Sequence, residues 1–180
     1  MDFYTSDLHL GHSNILKHCN RPFDSVEQMD RALITNINNT VGMNDDLYIL
    51  GDFTCYGVNR QKAIEYRNKV ICKNIYLIYG NHDKNFDGLD TFKWCGTYKE
   101  VKHDKGKFVL FHYPISEWNN KFHGSIHLHG HSHNVPEYNQ NNLKNGLLRY
   151  DVGVDANDFK PISSEEILNF FKLIKTDWSS

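Results

Sequence analysis

Short apolar runs recur along this chain, and almost every one stops at an aspartate, an asparagine or a histidine. Asp2 to Ser6 stops at Asp7. Leu47-Tyr48-Ile49-Leu50 stops at Gly51-Asp52, and Asn74 to Tyr79 at Gly80-Asn81-His82-Asp83. Phe108 to Phe111 stops at His112, and Ile126 to Leu128 leads into His129, His131 and His133. Short apolar runs bounded by turn residues are the pattern of buried strands. Helical patterns lie between them. From Ser25 to Asn39 the apolar residues Val26, Met29, Ala32, Leu33 and Ile37 keep a three-four spacing, and Ser25 with Gln28 has the capping-box spacing. Asn59 to Val70 also reads as helix, and Ser163-Ser164-Glu165-Glu166 opens a last one that runs to about Lys175. Glu137 to Asn145, the most polar stretch, is expected to be a long surface loop. Strand, loop and helix in repeated succession specify an α/β fold.

A length of 180 residues without a Pro-, Gly- or Ser-rich linker fits a single domain over 1–180. With 39% hydrophobic and 23% charged residues the chain can build a core and is not a disordered one. A net charge of −2 offers no basic field for gripping long nucleic acid, so strong nucleic-acid binding is not expected. The oligomeric state is not legible. No apolar run approaches the roughly 18 residues of a membrane span, the N-terminus has no secretory pattern, and Cys19, Cys55, Cys72 and Cys95 form no CxxC pair. These features fit a cytoplasmic protein without a membrane partner. Histidine alone is in excess: 11 in all, of which seven lie between His103 and His133. That points to metal or proton chemistry.

In open α/β sheets, ligand sites collect where strands end and loops from distant parts of the chain converge. Asp7, His9, Asp52, His112, His131 and His133 stand at such ends, and Asn81 adds an amide oxygen. Singly, each is as well explained as a turn or cap residue. Together, carboxylate, imidazole and amide oxygen suit Mn²⁺, Fe²⁺ or Zn²⁺ better than Ca²⁺. If their segment is extended, His131 and His133 project the same way.

The ordered set Asp7-Leu8-His9, Gly51-Asp52, Gly80-Asn81-His82-Asp83, His112 and Gly130-His131-Ser132-His133 resembles the calcineurin-like metallophosphoesterase superfamily, in particular its compact bacterial and phage members. The resemblance implies two packed β-sheets flanked by helices, a four-layer α/β sandwich. It implies a dinuclear centre in which Asp7, His9 and His133 serve one ion, Asn81, His112 and His131 the other, and Asp52 bridges both. The ions would be Mn²⁺ first, with Fe²⁺, Zn²⁺ or Ni²⁺ as alternatives. A hydroxide bridging them would attack phosphorus, and His82 would give the leaving oxygen its proton. One departure is visible: many relatives carry GDxxD, and here the last position is Cys55. Either Asp83 or another carboxylate then orients His82, or protonation matters little for a good leaving group.

His12 and Arg21 are candidates for substrate contact, Arg21 because a guanidinium fork matches phosphate oxygens. His127 and His129 read as packing residues, and Asp151 and Asp155 as support from a last strand. Tyr113 and Trp118 could stack a base, although core or turn roles are commoner for aromatic residues. The expected activity is hydrolysis of a phosphodiester or phosphomonoester in a small substrate such as a nucleotide or cyclic nucleotide. The alternatives are an end-acting nuclease and a catalytically weak binding scaffold on the same fold. A metallo-β-lactamase is disfavoured because HxHxDH is absent, and a structural zinc site needs fewer donors.

Overall fold

The computed structural model describes residues 1–83, 91–103 and 106–175. Among them, in chain order, are β1 (Asp2–Thr5), α1 (Ile15–His18), α2 (Val26–Thr40), β2 (Asp46–Ile49), α3 (Arg60–Lys69), β3 (Asn74–Ile78), β4 (Trp94–Gly96), β5 (Tyr98–His103) and β6 (Gly106–Phe111). They continue with β7 (Ile126–His129), α4 (Glu137–Lys144), β8 (Arg149–Asp151), β9 (Ile162–Ser163) and α5 (Ser164–Lys175). The first sheet has the order β4-β3-β2-β1-β9, parallel except for β9, and the second the order β5-β6-β7-β8, parallel except for β5.

Two apolar layers follow from the alternation of side chains along the first sheet. Leu47, Ile49, Ile75 and Leu77 face α2 and α3, where Met29, Leu33, Ile37, Ala63 and Tyr66 complete one core. Tyr4, Tyr48, Leu50 and Ile78 belong to the other core, with Phe108, Leu110, Ile126 and Leu128 of the second sheet and Ile167 and Phe171 of α5. The molecule is therefore an α/β sandwich of two mixed sheets with helices outside them. A stacked Tyr4–Tyr48–Tyr76 row lines the layer between the sheets, with ring centroids 5.2 and 4.6 Å apart.

Local signals set the helix ends. Ser25 Oγ accepts from Gln28 N at 3.2 Å, and the Gln28 side chain reaches back to Asp24 N at 2.6 Å. Asn59 caps α3 through Lys62 N at 2.9 Å. Ser163 and Glu166 form a reciprocal capping box at the start of α5.

Glu137 to Asn145 is not the expected loop; α4 occupies it. The reason is an inward face built from asparagine instead of leucine. Asn139 donates to Asp151 O and accepts from Asp151 N, at 3.0 and 2.8 Å, while Asn142 donates to Arg149 O at 3.0 Å. Two asparagines thus dock the helix on β8 by hydrogen bonds, which hydrophobic periodicity cannot register.

The carboxyl ends of the parallel strands meet across the two sheets. Asp7 N donates to Gly51 O, and His9 N to Asp52 O, so the turn after β1 is joined to the turn after β2. Ser6 bridges to Gly153 beyond β8, and Gly130 N donates to His112 O. These bonds, with Asp83 accepting from Asp52 N and Gly80 N, bring the strand-end motifs to one place.

Candidate metal centre

Two donor sets share one carboxylate. Donor atoms of Asp7, His9 and His133 lie within 4.8 Å of one another, as do those of Asp52, His112 and His131. Asp52 Oδ2 stands 3.4 Å from His9 Nε2 and 3.6 Å from His112 Nε2. Asn81 Oδ1 lies 3.1 Å from both His112 Nε2 and His131 Nδ1, so the amide oxygen belongs to the second set.

Steep turns aim these side chains. Asp7, His9, Asp52, His131 and His133 all have positive φ, between 47° and 71°. A left-handed conformation costs a non-glycine residue roughly 1–2 kcal/mol. Five of them at one site approach the whole stability of a small domain, on the order of 5–15 kcal/mol. Strain of that kind persists only where surrounding bonds impose it, and it collects at functional sites. His131 and His133 therefore do not sit on one face of an extended segment: β7 ends at His129, and the two turns after it send His131 toward Asn81 and His133 toward Asp155. The glycines before the donors are required as well. A Cβ on Gly51 would collide with the His112 ring, and one on Gly130 with Asp7 and Ser6.

The polar atoms fit divalent ions better than they fit one another. Both ring nitrogens of His9 are buried without a hydrogen-bond partner, a costly state for polar groups. His112 Nδ1 is 2.7 Å from Leu50 O and must donate to it, so Nε2 is left as a lone pair facing Asn81 Oδ1 and Asp52 Oδ2. Acceptors that face each other in this way are satisfied by a cation. Burial holds His9 well below the usual imidazole range and also lowers His112, which favours the neutral form that a metal ligand needs. Burial also raises Asp7 well above the usual carboxylate range. His133 differs. Burial lowers it, but the hydrogen bond to Asp155 at 2.8 Å, with Cys19 and Asp7 adding to it, raises it to about 10.

Residues behind the ligands hold them in place. Arg21 is 4% exposed and spends every N–H inside the protein, on both oxygens of Asp155, on the carbonyls of Asp7 and Leu8, and on Met29 Sδ. It is consequently a brace for the first donor set, and the expected phosphate contact through Arg21 is corrected: no donor is left over. Asp83 accepts from Asp52 N, Phe53 N and Gly80 N at 2.7, 3.1 and 2.8 Å, tying the turns after β2 and β3 together. Burial pushes its carboxyl up to about 7, against those three donors. Asp83 is thus occupied elsewhere than on His82. The group that meets His82 Nδ1 is the backbone N–H of Tyr56, at 3.1 Å, one residue beyond Cys55.

His82 forms a further donor trio with His9 and Asp52, and its ring is 4.9 Å from that of His9. His12 is brought to the same rim, 5.3 Å from the His9 ring and 6.1 Å from the His82 ring, with Nδ1 buried and without a partner. His127 and His129 stay outside the site, bonded to the carbonyls of Val109 and Gly130 and lowered to about 4 by burial. Trp118 packs on His127 and donates to Ser125 O. Cys19 and Asp30 gave no sequence signal. Cys19 joins His133 and Asp155 in a fourth cluster, and Asp30 holds the Gly11 amide beside His12 through both oxygens.

Known proteins resemble this chain in sequence and in fold. An uncharacterised protein of Methanocaldococcus jannaschii is 34% identical over 97% of this chain and 94% of its own length. The gene 66 protein of Mycobacterium phage L5 is 29% identical over 73% of this chain and 76% of its own. The crystal structure of a protein of unknown function from Aquifex aeolicus superposes with a TM-score of 0.72 at 25% identity, covering 93% of this chain and 97% of that one. Residues 3–151 match the calcineurin-like phosphoesterase family, and the stretch includes all the strand-end motifs. With this match over most of its length, the chain belongs to the calcineurin-like phosphoesterase family.

Proposed function

We propose that this protein is a dinuclear-metal phosphohydrolase acting on the phosphodiester or phosphomonoester of a small substrate. The observation that carries the reading is Asp52 Oδ2, placed between His9 Nε2 and His112 Nε2 so that one carboxylate joins two complete donor sets. Asp7, His9 and His133 would hold one ion and Asn81, His112 and His131 the other, with Mn²⁺ the preferred metal and Fe²⁺, Zn²⁺ or Ni²⁺ able to use the same donors. What such a pair of ions supplies when bound is Lewis acidity toward phosphate oxygens and a water acidified toward neutral pH.

The protein's own groups do the rest. Arg21 and Asp155 orient His133, and Leu50 O selects the His112 tautomer that leaves Nε2 free. The Tyr56 N–H occupies His82 Nδ1, so the ring proton of His82 is on Nε2, available to a phosphate oxygen and to the departing alkoxide. His12, whose ring lies 5.3 Å from that of His9 and 6.1 Å from that of His82, is placed on the same rim to meet a second phosphate oxygen. A charge of −2 favours small nucleotide-like esters over long nucleic acid. Free cysteines fit work in the cytoplasm; among the described residues no helix is long and apolar enough to cross a membrane.

The test is hydrolysis of bis-p-nitrophenyl phosphate and p-nitrophenyl phosphate by metal-stripped protein with and without Mn²⁺. Turnover should require the metal. Asp52→Asn should remove it by more than the roughly ten- to hundredfold that loss of a ligand's hydrogen-bond partner costs. Folded, Mn²⁺-loaded protein that hydrolyses neither compound would overturn the reading in favour of a binding scaffold.

A further inference from the structure

We propose that Tyr113 is a stacking platform for a nucleobase, so that the preferred esters carry a base next to the scissile phosphate. The inference rests on the phosphohydrolase reading and narrows its substrate class. Tyr113 directly follows His112, and its ring is steeply inclined to both imidazoles of the second donor set, with centroids 4.8 Å from His112 and 4.5 Å from His131, while Phe111 packs on it at 5.6 Å. It is nevertheless 37% exposed. A tyrosine that only shielded those donors would be buried with them; this one keeps more than a third of its surface open beside them.

The backbone beneath it is fixed. Pro114 follows, and His112 O accepts from Gly130 N at 2.9 Å. An aromatic ring already held in position loses little entropy when a flat ligand covers it. A base joined to a phosphate at the donor sets has this ring within reach, beside His112 and His131. Charge argues in the same direction. The chain is net negative, so affinity beyond the metal–phosphate contact has to come from apolar or aromatic surface.

Two diesters with one leaving group decide the matter: methyl p-nitrophenyl phosphate and the p-nitrophenyl ester of thymidine 5′-phosphate, each with Mn²⁺-loaded protein. Tyr113→Ala should lower the ratio of the two kcat/KM values, thymidine ester over methyl ester, by roughly tenfold, chiefly through KM of the thymidine ester. Tyr113→Phe should keep the wild-type ratio. An unchanged ratio in Tyr113→Ala overturns the proposal, whether both esters slow together, as they would if the ring only positioned His112 and His131, or neither slows. Metal content of each variant, read by elemental analysis, separates loss of ions from loss of stacking. Wild-type turnover of the methyl ester reports on the phosphohydrolase reading by itself. A short single-stranded thymidine oligonucleotide is the third arm. A drop confined to the mononucleotide ester assigns the platform to free nucleotides, and an equal drop on the oligonucleotide assigns it to strand ends as well.

Discussion

Arg21 shows how far a residue's type can stand from its role. A guanidinium near an expected phosphate site suggests a clamp, yet all its donors are used within the protein, two of them on the Asp155 carboxylate that orients His133. Lysine cannot reproduce that fork. Arg21→Lys is therefore expected to lower stability by about 2–3 kcal/mol in urea unfolding and to weaken Mn²⁺ binding along with it. A raised KM at unchanged stability would restore Arg21 as a substrate contact. The donors themselves were legible, because carboxylate, imidazole and amide oxygen declare their chemistry by type. Their left-handed backbone was not: Asp and Asn tolerate positive φ in many turns, so Asp7 and Asp52 look ordinary until the strain is seen gathered at one point. His82 is a similar case. Its expected partner was a carboxylate, and what meets it is the Tyr56 amide, which every sequence supplies at every position except proline.

Elements with an apolar period were readable in advance. α2 buries Met29, Leu33 and Ile37 as its spacing requires, and α5 buries Ile167 and Phe171. α3 buries only Ala63 and Tyr66, and its capping residue Asn59 was the better sign. α4 escaped because its buried positions are Asn139 and Asn142. Were α4 held by apolar contact, Asn139→Leu would be harmless. Because Asn139 satisfies Asp151 N, the change should instead cost about 1–3 kcal/mol, measurable by chemical denaturation, as a buried N–H loses its acceptor. β4, with three residues, and the predominantly polar β5 also lacked a pattern; they become strands by pairing with β3 and β6.

Across the whole molecule, ion binding and protonation oppose each other. His133 has its folded value raised to about 10, so its charged pairing with Asp155 stabilises the metal-free protein fully below about pH 6.5 and is lost as pH rises through about 10. A bound ion needs that imidazole neutral and must displace the proton. The stabilisation that Mn²⁺ confers should therefore grow with pH between 6.5 and 10, by up to about 1.4 kcal/mol per pH unit for one proton. Melting temperatures recorded with Mn²⁺ and with chelator at pH 6.5, 7.5 and 8.5 check the sign; a gap that narrows with pH would show that His133 is not a ligand. By itself the sequence determined which residues are metal-competent donors, that they stand at strand ends, and that strands and helices alternate, since donor type and hydrophobic period are local properties. Only the tertiary structure decided that Ser6 meets Gly153 and so joins the two sheets at their carboxyl ends, that Asp52 lies between His9 and His112, and that Arg21 turns inward. Each of those is a meeting of residues far apart in the chain, and such a distance is set by how whole layers pack.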